Sequence, residues 1–226
     1  MSTPANFNGK IPMIDPGNVA MLLIDHQSSL FQLVDDMPAT VLRQNVTALA
    51  KVASLAKIPV ITTASVPQGP NGPLIPEVHQ YAPHATYIPR KGELSAWKNK
   101  EFREAVKKTG KKQLIIAGTL TNVCLAFPAI EAVADGYQVF AVFDASGASS
   151  RMAYEITLAG LMQAGVVPID TGGAVAELEA TLNRDDVQEW NYATAHIYPK
   201  YVLLYEAYTK AQSVITNKET LDSERK

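Results

Sequence analysis

Long apolar stretches are absent from the sequence of 226 residues, and cysteine is limited to one residue, Cys124. A membrane-spanning helix needs about 20 consecutive apolar residues, and a single thiol forms neither an internal disulfide nor a cysteine-rich zinc site. Residues 1–16 also lack the basic and apolar regions of a signal peptide. We therefore expect a protein of the reducing cytoplasm that has no membrane partner.

An excess of charge of either sign is missing as well. The 20 Lys and Arg side chains and the 22 Asp and Glu side chains leave a formal net charge of −2, which argues against a nucleic-acid partner. The sequence has no Asp-x-His cluster that would bind a catalytic metal; its four histidines are His26, His79, His84 and His196. No glycine-rich phosphate loop follows a strand-like segment, which argues against a dinucleotide-binding protein. We expect no metal and no other cofactor.

What the sequence does contain is an alternation of strand-like and helix-like segments. Short runs of apolar residues that end at a polar residue are typical of strands buried on both faces of a sheet. The strand-like segments are residues 19–25, 60–65, 87–90, 113–117, 137–143 and 166–169. Helical patterns separate them, so we predict right-handed crossovers and a parallel sheet covered by helices on both faces.

The chain reads as one domain of residues 1–215 followed by a polar tail of residues 216–226 that frays. A helix is predicted at 174–182, after the last strand. Residues 198–208 are unusually aromatic and have no obvious layer of the same subunit to cover. We therefore expect this C-terminal segment to contact another subunit.

Reactive side chains follow three of the predicted strands. Asp25 closes the first strand, Arg90 and Lys91 close the third, and Cys124 follows the fourth at the turn into a helix. Ligands of an open parallel sheet bind outside the carboxyl ends of its strands, so these residues should meet at one edge. There the carboxylate can take the thiol proton, the cation can hold carboxylate and thiolate together, and backbone N–H groups can bind an oxyanion. The helix N-terminus also predicts a low pKa for the Cys124 thiol.

Each of these residues has a simpler alternative role. A lone cysteine is usually a small buried hydrophobic residue. Asp25 can cap the following turn, and a basic pair such as Arg90 and Lys91 is more often solvated on a surface loop. The coincidence of all three at strand ends is what favours a catalytic set.

Several segments resemble the isochorismatase-like cysteine hydrolases, in the order and spacing of that family. They read LLIDHQ at residues 22–27, RKGELSAW at 90–97 and IIAGTLTNVC at 115–124. GPNGPL at 69–74 and DASG at 144–147 are similar to the YcaC-type group within the family. The resemblance implies a three-layer α/β/α sandwich with a central, mainly parallel sheet.

The same resemblance implies an Asp–Lys–Cys triad, in which Asp25 and Cys124 are unambiguous and either Arg90 or Lys91 is the cation. It also implies a cis peptide bond between Thr119 and Leu120, which would turn the Leu120 N–H toward an oxyanion beside the Cys124 N–H. Neighbours of these motifs and nearby aromatic residues are candidates for the substrate pocket. They are His26, Gln27, Trp97, Thr121, Asn122 and Phe127.

For activity, the resemblance implies hydrolysis of a small molecule. A thiolate nucleophile suits a small amide or carbamoyl C–N bond and a covalent acyl-enzyme intermediate. The alternatives are a vinyl ether or another non-amide substrate, or an oligomeric protein with no physiological hydrolytic activity. Members of the YcaC-type group form closed eight-subunit assemblies, so we expect a homo-oligomer larger than a dimer, with an octamer as the favoured size.

Overall fold

The computed structural model describes residues 11–198 and 200–217, without the side chain of Val202. The predicted tail therefore lies outside the described residues from residue 218 onward. One sheet of parallel strands forms the centre of the molecule, in the order β3-β2-β1-β4-β5-β6. Its strands are β1 (Val19–Ile24), β2 (Val60–Ser65), β3 (Thr86–Arg90), β4 (Gln113–Gly118), β5 (Gln138–Val142) and β6 (Val167–Ile169).

Helices connect the strands and follow the last of them. They are α1 (Ala39–Leu55), α2 (Pro76–Tyr81), α3 (Lys100–Lys108), α4 (Ala126–Ala134), α5 (Arg151–Gln163), α6 (Thr171–Glu179), α7 (Val187–Ile197) and α8 (Tyr201–Asn217). Short helical turns precede several of them at Leu30–Leu33, Ala96–Lys98, Thr121–Leu125 and Phe143–Ala145. No helix among the described residues is both long enough and apolar enough to span a bilayer.

Side chains of β1 divide the interior into two cores, because successive residues of a strand point to opposite faces. Met21 and Leu23 pack in one core with side chains of α1, α2, α6 and α7. Leu22 and Ile24 pack in the other with side chains of α3, α4 and α5. The predicted three-layer sandwich with a parallel sheet is confirmed.

Strand register brings the predicted reactive residues to the same edge. β1 pairs with β4 so that Ile24 lies beside Gly118, and with β2 so that Ile24 also lies beside Thr63. β2 in turn pairs with β3 so that Ser65 lies beside Arg90. The carboxyl ends of four neighbouring strands therefore surround Asp25, the residue that follows β1.

The C-terminal part differs from the sequence-based expectation in its boundaries. The helix predicted at 174–182 is α6, which begins at Thr171 because the Asp170 side chain caps it by accepting a hydrogen bond from the Gly173 N–H at 2.7 Å. Trp190 of α7 is fully buried in the core beside α1. The final helix, α8, packs mainly on α7 and leaves most of its surface exposed.

Candidate active site

Asp25 lies at the centre of the edge where the strands end, and its side chain is almost completely buried. Its φ of 55° places it in the left-handed region, which residues other than glycine seldom occupy unless the surroundings enforce it. One carboxylate oxygen accepts the Ser65 N–H at 3.0 Å, and the other accepts a guanidinium N–H of Arg90. The carboxylate also accepts the thiol hydrogen of Cys124. Asp25 thus joins β1, β2, β3 and the turn after β4.

Arg90 supplies the cation at this site. Its side chain has no exposed surface, and its three nitrogens are all used as donors. Nε donates to Thr63 Oγ1 at 3.1 Å, Nη1 to the Glu93 carbonyl and Nη2 to Asp25 Oδ2. Lys91 is exposed; its backbone N–H donates to Glu93, and its ammonium group has no partner among the described residues. Of the two cations left open by the sequence, the structure brings Arg90 to Asp25 and leaves Lys91 at the surface.

Cys124 lies in the π-helical turn Thr121–Leu125, which continues into α4. Cys124 is 9% exposed and lines a cavity. The turn rests directly on the end of β4: a Cβ atom at Gly118 would lie 2.7 Å from the Cys124 carbonyl oxygen. Only glycine permits that approach.

Backbone N–H groups at the turn are not placed as the sequence-based interpretation expected. The Thr119–Leu120 peptide bond is cis. The Cys124 N–H, however, donates to the Leu120 carbonyl at 2.8 Å, so it is not free to bind an oxyanion in this conformation. The Leu120 N–H has no backbone acceptor among the described residues, and it lies beside the Cys124 sulfur, where its hydrogen bond lowers the thiol pKa. The Leu120 N–H is therefore a backbone donor beside the nucleophile.

The prediction of a low thiol pKa was wrong. Burial raises the pKa of the Cys124 thiol well above its usual range, and the charge of Asp25 and its hydrogen bond raise it further. The charge of Arg90 and a hydrogen bond from the Leu120 N–H to the sulfur oppose this shift without overcoming it. The helix end does not stabilise a thiolate because the cysteine N–H is already satisfied within the turn. At neutral pH the site therefore contains a thiol paired with a carboxylate that can accept its proton.

A cavity of about 200 Å³ opens beside the thiol. Its lining combines groups from the strand ends with side chains from three loops. The lining residues are Asp25, Leu30, Ser65, Asn71, Leu94, Thr119, Leu120, Val123 and Cys124. Sequence reasoning missed Leu30, Ser65, Asn71, Leu94 and Val123. Asn71, Leu94 and Val123 do fall within the family-like segments 69–74, 90–97 and 115–124, which was the only signal for them.

His26 and Gln27, predicted as pocket residues, lie behind the cavity wall. Both are fully buried. His26 donates from Nε2 to the Ala145 carbonyl at 2.8 Å, and burial lowers its pKa to about 4, so its imidazole is neutral at pH 7. Gln27 donates to the Ser65 and Gly72 carbonyls and accepts the Ser65 N–H at 3.0 Å. Gln27 thereby fixes the loop that carries Asn71 without itself lining the cavity.

The other predicted pocket residues do not line the cavity. Thr121 is buried and donates to the Gly147 carbonyl at 2.7 Å, while Asn122 is exposed on the outer side of the turn. The Trp97 indole packs in the core and donates to Asp135 at 2.8 Å. Phe127 projects from α4 and is 41% exposed. None of these four residues is in the lining of the cavity beside Cys124, and their contact with substrate stays a prediction.

No group of three or more His, Cys, Asp or Glu side chains within residues 11–198 and 200–217 is arranged to hold a metal ion. The groups of the site that can exchange a proton are Asp25 and Cys124, and Arg90 supplies a fixed positive charge.

Comparison with known proteins places this site in a family. The model of the isochorismatase domain matches residues 19–172, which include every residue that lines the cavity. The chain belongs to the isochorismatase-domain family. The resemblance inferred from the sequence motifs is therefore confirmed.

Within the isochorismatase-domain family, the chain is similar to YcaC proteins. It is 40% identical over 195 residues to "Probable hydrolase YcaC" of Escherichia coli (strain K12), covering 86% of this chain and 93% of the relative. The solved YcaC gene product of Escherichia coli, described as an octameric hydrolase of unknown specificity, superposes with a TM-score of 0.84 at 40% identity, covering 88% of this chain and 97% of that one. YcaC from Pseudomonas aeruginosa, solved with hexane-2,5-diol and covalent acrylamide, also superposes with a TM-score of 0.84. It is 38% identical, and the match covers 87% of this chain and 97% of that one. The chain is therefore a hydrolase of this family.

Proposed function

We propose that the protein hydrolyses the C–N bond of a small amide or carbamoyl compound, with Cys124 as the nucleophile. The observation that carries this proposal is the buried thiol that donates its hydrogen to Asp25, a carboxylate held in turn by Arg90. A nucleophile within hydrogen-bond reach of a base, with the base oriented by a third group, is the arrangement that covalent catalysis requires.

The first half of the reaction forms a thioester. Sγ attacks the carbonyl carbon while Asp25 takes the thiol proton, and the carbonyl π electrons move onto the oxygen. In our scheme the Leu120 N–H, which lies beside the sulfur in the free protein, donates to that oxyanion. The intermediate collapses as the C–N bond breaks, and Asp25 returns the proton to the leaving nitrogen.

The second half releases the acyl group. Asp25, again a carboxylate, takes a proton from water as the water oxygen attacks the thioester carbon. Collapse expels the Cys124 sulfur, which recovers its proton from Asp25. Arg90 does not exchange protons in this scheme, because a guanidinium stays protonated in proteins. Its role is to orient the carboxylate and to balance its charge.

A relative supports the choice of nucleophile and substrate class. YcaC from Pseudomonas aeruginosa was solved with covalent acrylamide. Acrylamide is a small uncharged amide whose terminal carbon reacts with thiols. This chain has only one cysteine, Cys124, which lies in a cavity of suitable size for such a molecule.

A panel of small amides and carbamoyl compounds tests the proposal. We expect ammonia or amine release by wild-type protein in buffer that contains a strong chelator, and none by Cys124→Ser. Intact-mass spectrometry after rapid quenching should show an acyl adduct on Cys124. Amide turnover that survives in Cys124→Ser, or that needs added metal, contradicts this mechanism. Turnover of vinyl ethers and of no amide would show that the proposed substrate class is wrong.

We also propose that one domain of residues 1–215 assembles into a homo-oligomer, an octamer as described for YcaC of Escherichia coli. The supporting feature is an apolar stripe on α8. Leu204, Tyr208 and Ile215 follow each other at helical spacing and are between 59% and 70% exposed. A soluble monomer seldom exposes such a stripe, so a second subunit is its proposed cover.

Sedimentation velocity at micromolar concentration should give a mass near eight times the 24.5 kDa of one chain. Leu204→Glu introduces charge into the stripe and should shift the protein toward smaller species. Gln44→Glu adds the same charge at an exposed polar position of α1, away from the stripe, and should leave the mass unchanged. A single species near 24.5 kDa for the wild type refutes the assembly, and an unchanged mass for Leu204→Glu refutes the role of the stripe.

A further inference from the structure

The hydroxyl of Thr119 is the one polar group of the cavity that the described residues leave buried and unsatisfied. Thr119 has no exposed surface, it lines the cavity, and its Oγ1 has no hydrogen-bond partner. Neighbouring hydroxyls are satisfied: Thr121 donates to Gly147, and Thr63 accepts from Arg90. Burying an unpaired hydroxyl is unfavourable, so such a group in a native structure needs a specific explanation. A ligand in the cavity provides one.

The charges around the cavity restrict what that ligand can be. Asp25 contributes a carboxylate to the lining, and the positive charge of Arg90 is fully engaged by Asp25, Thr63 and Glu93. Among the described residues that line the cavity there is no lysine or arginine. An anionic ligand would meet the carboxylate without a free cation to offset it, so the cavity favours an uncharged molecule.

The polar groups of the cavity match a carboxamide. The Leu120 N–H lies beside the Cys124 sulfur, where it can donate to the carbonyl oxygen of a bound substrate. The Asn71 side chain donates from Nδ2 to the Ser65 carbonyl at 3.2 Å, which leaves Oδ1 as an acceptor, and the Thr119 hydroxyl can donate or accept. Leu30 and Leu94 add apolar surface. At about 200 Å³ the cavity is smaller than the roughly 300–1,000 Å³ of sites for drug-sized ligands.

We propose that the Thr119 hydroxyl is a specificity-determining contact that hydrogen-bonds the carboxamide of a small, uncharged primary amide. This inference rests on the proposed function, because it requires that the substrate reach Cys124. A site built to hydrogen-bond a polar group discriminates against analogues that lack it, since its own buried groups are then left unpaired. Thr119 would thereby select amides over the corresponding esters.

Alkylation of Cys124 by acrylamide and by methyl acrylate, measured separately by intact mass, provides the test. In both reactions Sγ adds to the terminal carbon, the carbon–carbon π bond breaks, and the thiol proton ends on the adjacent carbon. The two reagents have similar shape, and only acrylamide carries N–H groups. Thr119→Val replaces the hydroxyl by a methyl of similar size, whereas Thr119→Ser keeps the hydroxyl.

We expect Thr119→Val to lower the second-order rate constant for acrylamide about tenfold, because one net hydrogen bond is lost. The rate constant for methyl acrylate should change less than about twofold. Thr119→Ser should retain the wild-type preference. The melting temperature of Thr119→Val should not fall, because the hydroxyl has no partner in the free protein. Thr119→Ala, which cannot clash, provides the same comparison if the valine variant does not fold.

Three results would overturn this inference alone: equal losses with both reagents, no loss with acrylamide, or a lower melting temperature in Thr119→Val that explains its slower labelling. The proposed function fails separately if wild-type protein is not alkylated at Cys124 by either reagent, and the role of Thr119 then falls with it. Acrylate, the isosteric anion, tests the charge argument. The rate constant of each reagent with the protein is divided by its rate constant with 2-mercaptoethanol, which corrects for intrinsic reactivity. The corrected rate constant of acrylate with wild-type protein should be at least about tenfold lower than that of acrylamide. Equal corrected rate constants contradict an uncharged substrate.

Discussion

Asp25→Asn and Cys124→Ala are each expected to lower kcat by about 10⁴-fold or more on any amide that the wild-type protein hydrolyses. The alanine variant has no nucleophile, and the asparagine variant cannot take the proton of a thiol whose own pKa burial raises. The measurement is kcat under saturating substrate, with circular dichroism to show that both variants are folded. Asp15→Asn is the matched control, because Asp15 is exposed near the opposite end of β1.

The double variant distinguishes a catalytic unit from two independent groups. If Asp25 acts only by taking the proton of Cys124, then Asp25→Asn adds little to the loss already caused by Cys124→Ala. Losses that multiply would instead mean that Asp25 contributes through another route, such as binding substrate. A residual rate in Asp25→Asn near that of the wild type would remove Asp25 from the mechanism.

Arg90→Met is expected to destabilise the protein by about 3–5 kcal/mol, whereas Lys91→Met should change its stability by less than about 0.5 kcal/mol. The first substitution leaves the buried Asp25 carboxylate without its cation and frees the acceptors on Thr63 and Glu93. The second removes an exposed side chain. The two positions are adjacent in sequence and differ in burial, so each serves as the control for the other.

Urea unfolding at equal protomer concentration measures both variants, since association contributes to the apparent stability of an oligomer. Arg90→Lys should recover only part of the loss, because an ammonium group cannot reproduce three donor contacts in fixed directions. A larger effect of Lys91→Met than of Arg90→Met, in stability or in turnover, would reverse our choice of cation.

The sheet was predictable because its strands are marked by composition. β1 and β4 are continuous apolar runs that end at Asp25 and at Gly118-Thr119, and Pro168 marks the edge strand β6. The error in α6 has a local cause. Gly172 and Gly173 disfavour a helix by propensity, but the cap provided by Asp170 and the packing of the following side chains override that preference.

The cation could also have been resolved from the sequence. Side chains alternate along a strand, so Arg90 points to the same face as the partly buried Ile88, and Lys91 falls after the strand has ended. The cavity walls carry no such signal. Leu30, Asn71 and Leu94 come from separate loops, and their convergence depends on how the loops pack, for instance on the Gln27 contacts at Ser65 and Gly72.

The thiol pKa could not be read from the sequence for a related reason. A cysteine before a helical pattern suggests a free N-terminal N–H, but the chain forms a π-helical turn whose hydrogen bonds use that N–H. Burial and the neighbouring carboxylate then dominate the pKa. Both are consequences of tertiary packing.

Contact between the Gly118 backbone and the Cys124 carbonyl has a consequence for engineering. Main-chain atoms fix the backbone of Cys124, so its position does not depend on which side chains form the cavity walls. Leu30, Leu94 and Val123 can therefore be varied in combinatorial libraries to admit larger or differently shaped amides while the reacting atom stays in place. Position 118 should be held constant in any such library, because a Cβ atom there would displace the backbone that carries the nucleophile.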